Sequence, residues 1–125
     1  MSHIKALTLA KKKKWKNFII VEDDFIFLLP RQRILHMLKS INDYKWDVIM
    51  LAKGHSQIIN TKSDFIKKVD YSTTTSGYIC NSNFIDVLYD NFFESFKLLE
   101  KEVDESKEIK IYTTKYALDQ YWFTL

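Results

Sequence analysis

"IIVEDDFIF", residues 19–27, carries two opposite signals side by side. The apolar, β-branched run at residues 18–21 is typical of a strand that is covered on both faces. Three carboxylates, Glu22, Asp23 and Asp24, follow that strand directly, and the chain becomes apolar again over residues 25–29. Three acidic residues directly after a core strand indicate either a binding site or a solvated turn.

The residues that follow this stretch predict a strand–helix–strand unit. Pro30 suits the first turn of a helix, and apolar side chains then recur at helical spacing over residues 34–41. A second apolar strand, "WDVIMLA", occupies residues 46–52. Two strands joined by a helix within about 35 residues favour a right-handed βαβ unit with a parallel strand pair. We therefore expect an α/β fold with a mainly parallel sheet flanked by helices.

Local patterns predict further elements along the chain. They are a helix over residues 3–14, a short edge strand at 67–71, a strand "SGYICN" at 76–81, a long helix capped by Asn81 or Ser82, a charged loop at 104–110 and a final helical face over 118–125. Asp90 and Asn91 are expected to break the long helix in two.

Length and composition predict one folded domain spanning residues 1–125. The chain has 125 residues, 46% of them apolar and 28% charged, with a net charge of +3. Cys80 is the single cysteine and cannot form an internal disulfide, so we expect a reducing compartment. Neither a signal peptide nor an apolar run of membrane-spanning length is present in the sequence. These features together predict a cytoplasmic protein.

The three acids predict a divalent-cation site. On an extended backbone, alternate side chains share a face, so Glu22 and Asp24 should point one way and Asp23 the other. Converging carboxylates repel unless a cation joins them, and carboxylate oxygens suit hard ions such as Mg²⁺ or Mn²⁺. The alternative interpretation is that the acids precede the helix near Pro30 or occupy a solvated turn.

The segments around the acids resemble a known family. "SHIKALTLAKKKKWKNFIIVEDDFIF", "WDVIMLA", "TSGYICNSNF" and "YALDQYWFTL" occur in the order found in the family 25 glycosyltransferases, which include bacterial lipooligosaccharide and collagen galactosyltransferases. The resemblance covers most of the chain. It implies a partial GT-A-like core, a nucleotide-sugar donor that is UDP-linked, and Mn²⁺ or Mg²⁺ as cofactor. It also implies transfer of a hexose, galactose or glucose, to a hydroxyl of a glycan or protein acceptor.

The resemblance assigns roles to particular residues. Glu22, Asp23 and Asp24 match the acidic nucleotide-binding motif, with Glu22 and Asp24 as metal ligands. Asp119 is the implied catalytic base, which accepts the proton of the acceptor hydroxyl. The remaining matches are Ser2 and His3 in the family's "SH" segment, and Gly77, Tyr78, Gln120 and Trp122 on the acceptor side.

Family members carry a strand and helix before the "SH" segment, so we expect this chain to be truncated at its N-terminus. A sheet that lacks that strand would expose an edge and predicts a homo-oligomer.

Two other functions remain open. One is a catalytically inactive glycosyltransferase remnant that acts as a binding or assembly module. The other is a basic protein that binds nucleic acid through Lys11–Lys14, for which no recognisable motif is present. His55 is a further candidate phosphate or metal contact.

Overall fold

Strand β5 (Gly77–Asn81) lies at the centre of the main sheet, between β1 (Asn17–Val21) and β2 (Val48–Met50). Both neighbours pair with β5 in the antiparallel direction, and Ile79 lies opposite Ile19 on one side and Ile49 on the other. The computed structural model describes residues 2–52, 54, 56–63, 65–105 and 114–125. The strand order of this sheet is therefore β1-β5-β2, with β5 hydrogen-bonded to both outer strands.

The predicted parallel sheet is wrong. β1 and β2 do run in the same direction, but β5 separates them, and every strand pair in the described part of the chain is antiparallel. An apolar run covered on both faces has the same sequence pattern whether its neighbours are parallel or antiparallel. The pattern therefore identified the strands but not their order, and the mainly parallel, GT-A-like core is not supported.

A second, two-stranded sheet consists of β3 (Ser56–Ile59) and β4 (Lys68–Ser72). The register of this hairpin shifts between Gln57 and Ile58, which marks a β-bulge. The short strand predicted at residues 67–71 is confirmed as β4, one residue further along.

Among the residues described, four α-helices accompany the main sheet. They are α1 (Ser2–Lys13), α2 (Arg31–Ser40), α3 (Ile85–Glu105) and α4 (Leu118–Tyr121), with short 3-10 turns between and after them. Of these helices, α1 and α3 cover one face of the sheet. The predicted break in α3 is wrong, because Asn91 is buried and its amide donates a hydrogen bond to Thr124 Oγ1 at 2.7 Å. That tertiary partner compensates for the poor helix propensity of asparagine. None of the helices in the described ranges combines the length and the apolar character needed to cross a bilayer.

The hydrophobic core lies between the main sheet and the helices α1 and α3. Alternate positions of the three strands face this core, and α1 and α3 contribute side chains at helical spacing. The fully buried or nearly buried members are Ile4, Leu7, Ala10, Phe18, Tyr78, Cys80, Ile85, Leu88, Phe92 and Trp122. Cys80 is a free, buried thiol, and burial raises its pKa to about 12.

The connection from α1 to β1 is fixed by a tight helix end. Lys14 adopts φ 54°, the left-handed conformation, and its N–H donates to Lys11 O at 3.1 Å. The N–H of Trp15 donates to Ala10 O at 3.3 Å, which completes a Schellman motif. This geometry ends the helix and directs the next residues into β1. The start of α1 and the C-terminal end of β1 therefore lie at the same end of the sheet.

Gly77 lies where the aromatic ring of Phe25 approaches the backbone of β5. A Cβ built on Gly77 would lie 2.3 Å from Phe25 Cε2, closer than real Cβ contacts allow. The glycine therefore permits the turn after β1 to fold back over the first residue of β5.

Gly77→Ala should displace the Phe25 ring and lower the free energy of unfolding by about 1–3 kcal/mol, the usual cost of overpacking. Chemical denaturation of Gly77→Ala, in the wild-type and in the Phe25→Ala background, measures this cost. The alanine should cost less where the ring has been removed. Equal costs in both backgrounds would contradict the proposed clash.

Candidate functional site

The acids that follow β1 lie in a turn rather than on extended chain. Strand β1 ends at Val21; the N–H of Glu22 donates to Ser76 O at 2.9 Å, and the N–H of Phe25 donates back to Glu22 O at 3.1 Å. The expected alternation, with Glu22 and Asp24 on one face, is therefore wrong because the extended backbone that it requires has already ended.

The carboxylate of Glu22 is held by two side chains from distant parts of the chain. Its Oε1 accepts a hydrogen bond from Thr75 Oγ1 at 3.3 Å and lies 3.4 Å from His3 Nε2. The His3 side chain is 12% exposed and that of Glu22 is 39% exposed. In the described chain, Oε2 of Glu22 makes no hydrogen bond or ion pair, so Glu22 is anchored through one oxygen and can offer the other to a ligand.

His3 and Tyr78 form the inner part of the same cluster. Nδ1 of His3 lies 3.1 Å from the Tyr78 hydroxyl, and the two rings stack with centroids 5.8 Å apart. Burial lowers the pKa of His3, although Glu22 partly opposes the shift, so the imidazole is neutral at neutral pH. Burial raises the pKa of Tyr78 well above its ordinary value, so its hydroxyl keeps its proton.

These protonation states determine the direction of the hydrogen bonds. A neutral imidazole carries one N–H, and the nitrogen that faces a carboxylate is the one that must donate. Nε2 of His3 therefore donates to Glu22, and Nδ1 accepts from the Tyr78 hydroxyl. The result is a hydrogen-bonded chain that runs from the core to the Glu22 carboxylate.

Trp122 packs behind this chain. Its ring lies 5.9 Å from that of Tyr78 and 6.1 Å from that of Phe92, and its Nε1 donates to Ser72 O at 2.7 Å. Trp122 is 9% exposed and Tyr78 is fully buried. Three of the four sequence segments that carry the resemblance, represented by His3 and Glu22, by Tyr78 and by Trp122, are thus connected in space.

Other predicted site residues are less closely connected. Asp23 and Asp24 are exposed in the turn, and Ser2, at the start of α1, is also exposed. Asp119 and Gln120 are half-buried in α4. Within the ranges that the structure describes, no three His, Cys, Asp or Glu side chains converge into a ready-made ion site.

A cavity of about 730 Å³ lies beside β2 of the main sheet. It is lined mainly by apolar side chains between α2, β2, β4 and the C-terminal residues, and it reaches Trp122 and Ser72. None of the three acids, His3 or Asp119 lines it. The cavity and the His3–Glu22 cluster therefore share Trp122 as a wall but are separate surfaces.

The lysine-rich end of α1 is partly used within the protein. Lys11 Nζ forms an ion pair with Asp86 and lies 4.9 Å from the centre of the Tyr89 ring. Lys12, Lys13 and Lys14 are exposed. Positive side chains in the last turn of a helix also interact favourably with its dipole. These contacts give Lys11 a role within the protein itself. His55 lies outside the described residues.

Sequence reasoning did not identify Thr75 as a partner of Glu22. Thr75 belongs to the hydroxyl-rich segment at residues 72–76, which was the only available signal. The pairing of Val21 with Gly77 brings the segment before β5 against the residue after β1. Without knowledge of that antiparallel pairing, no local pattern could connect positions 22 and 75.

Replacing His3 should remove one source of acid sensitivity. Because the pKa of His3 is lowered in the folded protein, the unfolded chain takes up the proton first, below its ordinary pKa of 6.5. The free energy of unfolding should therefore fall as the pH drops through and below that value. Denaturation between about pH 7.5 and pH 5.5 should give a smaller fall for His3→Gln than for the wild type.

His36→Gln is the matched control because His36 is exposed on α2. Its denaturation should keep the pH dependence of the wild type. If His3→Gln and the wild type lose the same stability over this interval, the neutral, buried state of His3 is refuted.

Comparisons of the chain with protein-family models, with curated proteins and with solved structures found no match.

Proposed function

We propose that this chain is a metal-dependent glycosyltransferase, or the core of one, that transfers a hexose from a nucleotide sugar to a hydroxyl acceptor. The observation that carries the proposal is the connected chain from Trp122 through Tyr78 and His3 to Glu22. These residues come from three of the segments that resemble the family 25 glycosyltransferases, and they are up to 119 positions apart, from 3 to 122. If the resemblance of these segments were due to chance, their residues would not be expected to contact one another in the folded chain.

The residues at the end of β1 fit part of the coordination shell of Mn²⁺ or Mg²⁺. Glu22 presents an oxygen with no partner among the described residues, and the carboxylates of Asp23 and Asp24 are exposed in the next turn. Such ions are commonly bound by one or two carboxylates together with water and substrate phosphates. The lack of a ready-made cluster of three ligands is therefore compatible with an ion that arrives with a diphosphate. When bound, the ion would neutralise charge on the leaving nucleotide.

The residues around Glu22 act by positioning its carboxylate. Thr75 and His3 fix Oε1, and Tyr78 fixes the tautomer of His3 from inside the core. Hydrogen-bonded partners of this kind orient ligand side chains and maintain their negative charge. Because Tyr78 is fully buried, we assign it this indirect role rather than contact with an acceptor.

Asp119 is the proposed base, and Gln120 and Trp122 form the adjoining acceptor side together with Gly77. Asp119 lies three residues before Trp122 in the same helical segment, so Trp122, which contacts Tyr78, anchors that segment next to the cluster. A half-buried carboxylate in this segment could accept the proton of an attacking hydroxyl. The proposed donor is a UDP-linked galactose or glucose, and the proposed acceptor is a glycan or a hydroxylated protein.

Calorimetry with Mn²⁺ and UDP tests the binding part of the proposal. UDP should bind the wild type only when Mn²⁺ is present. Glu22→Gln and Asp24→Ala should each weaken this joint binding by more than about tenfold, and His3→Gln by about 10–100-fold through the loss of carboxylate positioning.

Asp43→Ala is the control for a lost surface carboxylate. Asp43 is exposed in the turn before β2, at the opposite end of the sheet from Glu22, and its replacement should leave binding unchanged. If the wild type binds neither ligand, the donor site is refuted and the remnant interpretation is favoured. Salt-sensitive binding of duplex nucleic acid instead would favour the third function.

Asp119→Asn separates catalysis from binding. Release of UDP from UDP-galactose or UDP-glucose should fall by about 10²–10⁴-fold, the usual contribution of a general base. Calorimetric affinities for Mn²⁺ and UDP should stay nearly unchanged in this variant. A variant that keeps full turnover would rule out Asp119 as the base while leaving the donor site standing.

A further inference from the structure

Strand β1 forms one edge of the main sheet and is paired on one side only. Throughout the described chain, its ladder partner is β5 alone. Ile19 and Val21 are 44% and 46% exposed, and both lie on the face of β1 opposite to the core. An exposed apolar edge of this kind is a template for a further strand.

The hydrogen bonds at the two ends of the β1–β5 ladder show which backbone groups are unpaired. Glu22 N–H donates to Ser76 O, and Ser82 N–H donates to Lys16 O. In an antiparallel ladder, residues that exchange such bonds alternate with residues whose N–H and C=O point away from the partner. The even-numbered positions of β1 therefore face β5. The odd-numbered ones, Asn17, Ile19 and Val21, direct their backbone groups to the open edge.

Natural edge strands usually carry a feature that prevents further pairing, such as a charge, a proline or a bulge. Strand β1, with the sequence NFIIV, has none of these over its five residues. The other strands are less suited to pairing. β2 has only three residues, β4 contains Lys68 and Asp70, and β3 is interrupted by the shift after Gln57.

The charges beside β1 favour one arrangement of two copies. If two β1 strands pair antiparallel about a twofold axis at Ile19, position 17 lies opposite 21 of the other copy, and Lys16 lies opposite Glu22. Parallel pairing in register would instead place lysine against lysine and acid against acid, which is unfavourable.

We propose that β1 is a self-association site at which a second copy of this chain adds its own β1. The two sheets then form one six-stranded antiparallel sheet, with strand order β2-β5-β1-β1-β5-β2 and the twofold axis at Ile19. Because the pairing uses the same edge of both copies, it is complete at two chains. This proposal does not rest on the proposed function, although it places Lys16 of the second copy opposite Glu22, a proposed metal ligand.

Cysteine crosslinking tests the register. Asn17→Cys and Val21→Cys proteins are mixed and oxidised with copper phenanthroline, and the products are identified by intact mass. Residues in a hydrogen-bonded antiparallel pair have Cα atoms about 5.5 Å apart, within the range of a disulfide. The mixed dimer should predominate. Each protein alone should crosslink poorly, because equivalent residues would then lie about 13 Å apart along the strand.

The wild type is the control for background oxidation, since its single thiol, Cys80, is buried. It should remain uncrosslinked. Predominant Asn17→Cys homodimers would indicate parallel pairing and overturn the proposed register. A lack of crosslinks in all of the samples would overturn the interface itself.

Analytical ultracentrifugation tests the association without crosslinks. The wild type should sediment as a dimer that dissociates on dilution through the micromolar range, and Ile19→Lys should be monomeric because it charges the centre of the edge. Ile26→Lys, at an exposed apolar side chain outside the strand, should dimerise like the wild type. A monomeric wild type, or assemblies larger than two chains, would refute the proposal.

A charge reversal tests the flanking pairs. Lys16→Glu would place an acid opposite Glu22 of the second copy and should weaken the dimer by at least about fivefold, and increasingly so at low salt. Lys12→Glu, on α1 and away from the proposed contact, is the matched control and should change the dimer little. Equal effects of the two variants would show that net charge, not this register, governs association.

Discussion

The hydroxyl of Tyr78 is a polar group in a fully buried position, and its hydrogen-bond partner among the described residues is His3. Leaving such a hydroxyl unpaired costs about 1–3 kcal/mol, so the start of α1 is held against the start of β5. His3 in turn reaches Glu22 at the end of β1. One buried hydroxyl therefore links a helix, a central strand and an edge strand, and the candidate site lies at the point where the three meet.

Two kinds of carboxylate follow β1, and they differ in how they are held. Glu22 is fixed from the core through His3 and from a loop through Thr75. Asp23 and Asp24 are exposed in a turn that is followed by Phe25. The ring of Phe25 packs against Gly77 and so holds the end of the turn in place. Such a site, with one oriented carboxylate and two solvated ones, suits an ion that is also coordinated by the oxygens of a bound diphosphate. It suits an ion coordinated by protein side chains alone poorly.

The sequence identified most elements of the fold but not their arrangement. The apolar runs at 18–21, 46–52 and 76–81 contain the strands β1, β2 and β5, and Asn81, one of the two predicted caps, caps the 3-10 turn before α3 by accepting from Asn83 N–H at 3.0 Å. Those signals are local, however. Which strand lies beside which depends on how the faces of the whole sheet pack, and no periodicity within β1 or β2 reports that β5 comes between them.

The residues of the candidate site were predictable in part, whereas the contacts between them were not. The resemblance singled out His3, Glu22, Tyr78 and Trp122, and these residues are connected in space. The threonine that completes the cluster comes from a loop without a recognisable motif. Its position follows from the antiparallel register of β1 and β5, a property of two segments more than 50 residues apart. Contacts of that range depend on tertiary packing, which a single sequence does not encode in any short pattern.

The central position of β5 has a consequence for how the chain acquires its structure. Both β1 and β2 depend for their ladder hydrogen bonds on a strand that begins only at Gly77. During synthesis from the N-terminus, β1 leaves the ribosome about 3–12 seconds ahead of its partner, at elongation rates of about 5–20 residues per second. For that interval the apolar strand and its neighbours have no native partner. The nascent chain is therefore most vulnerable to misfolding before residue 77 emerges, and closure of this long loop should be the slow step of folding.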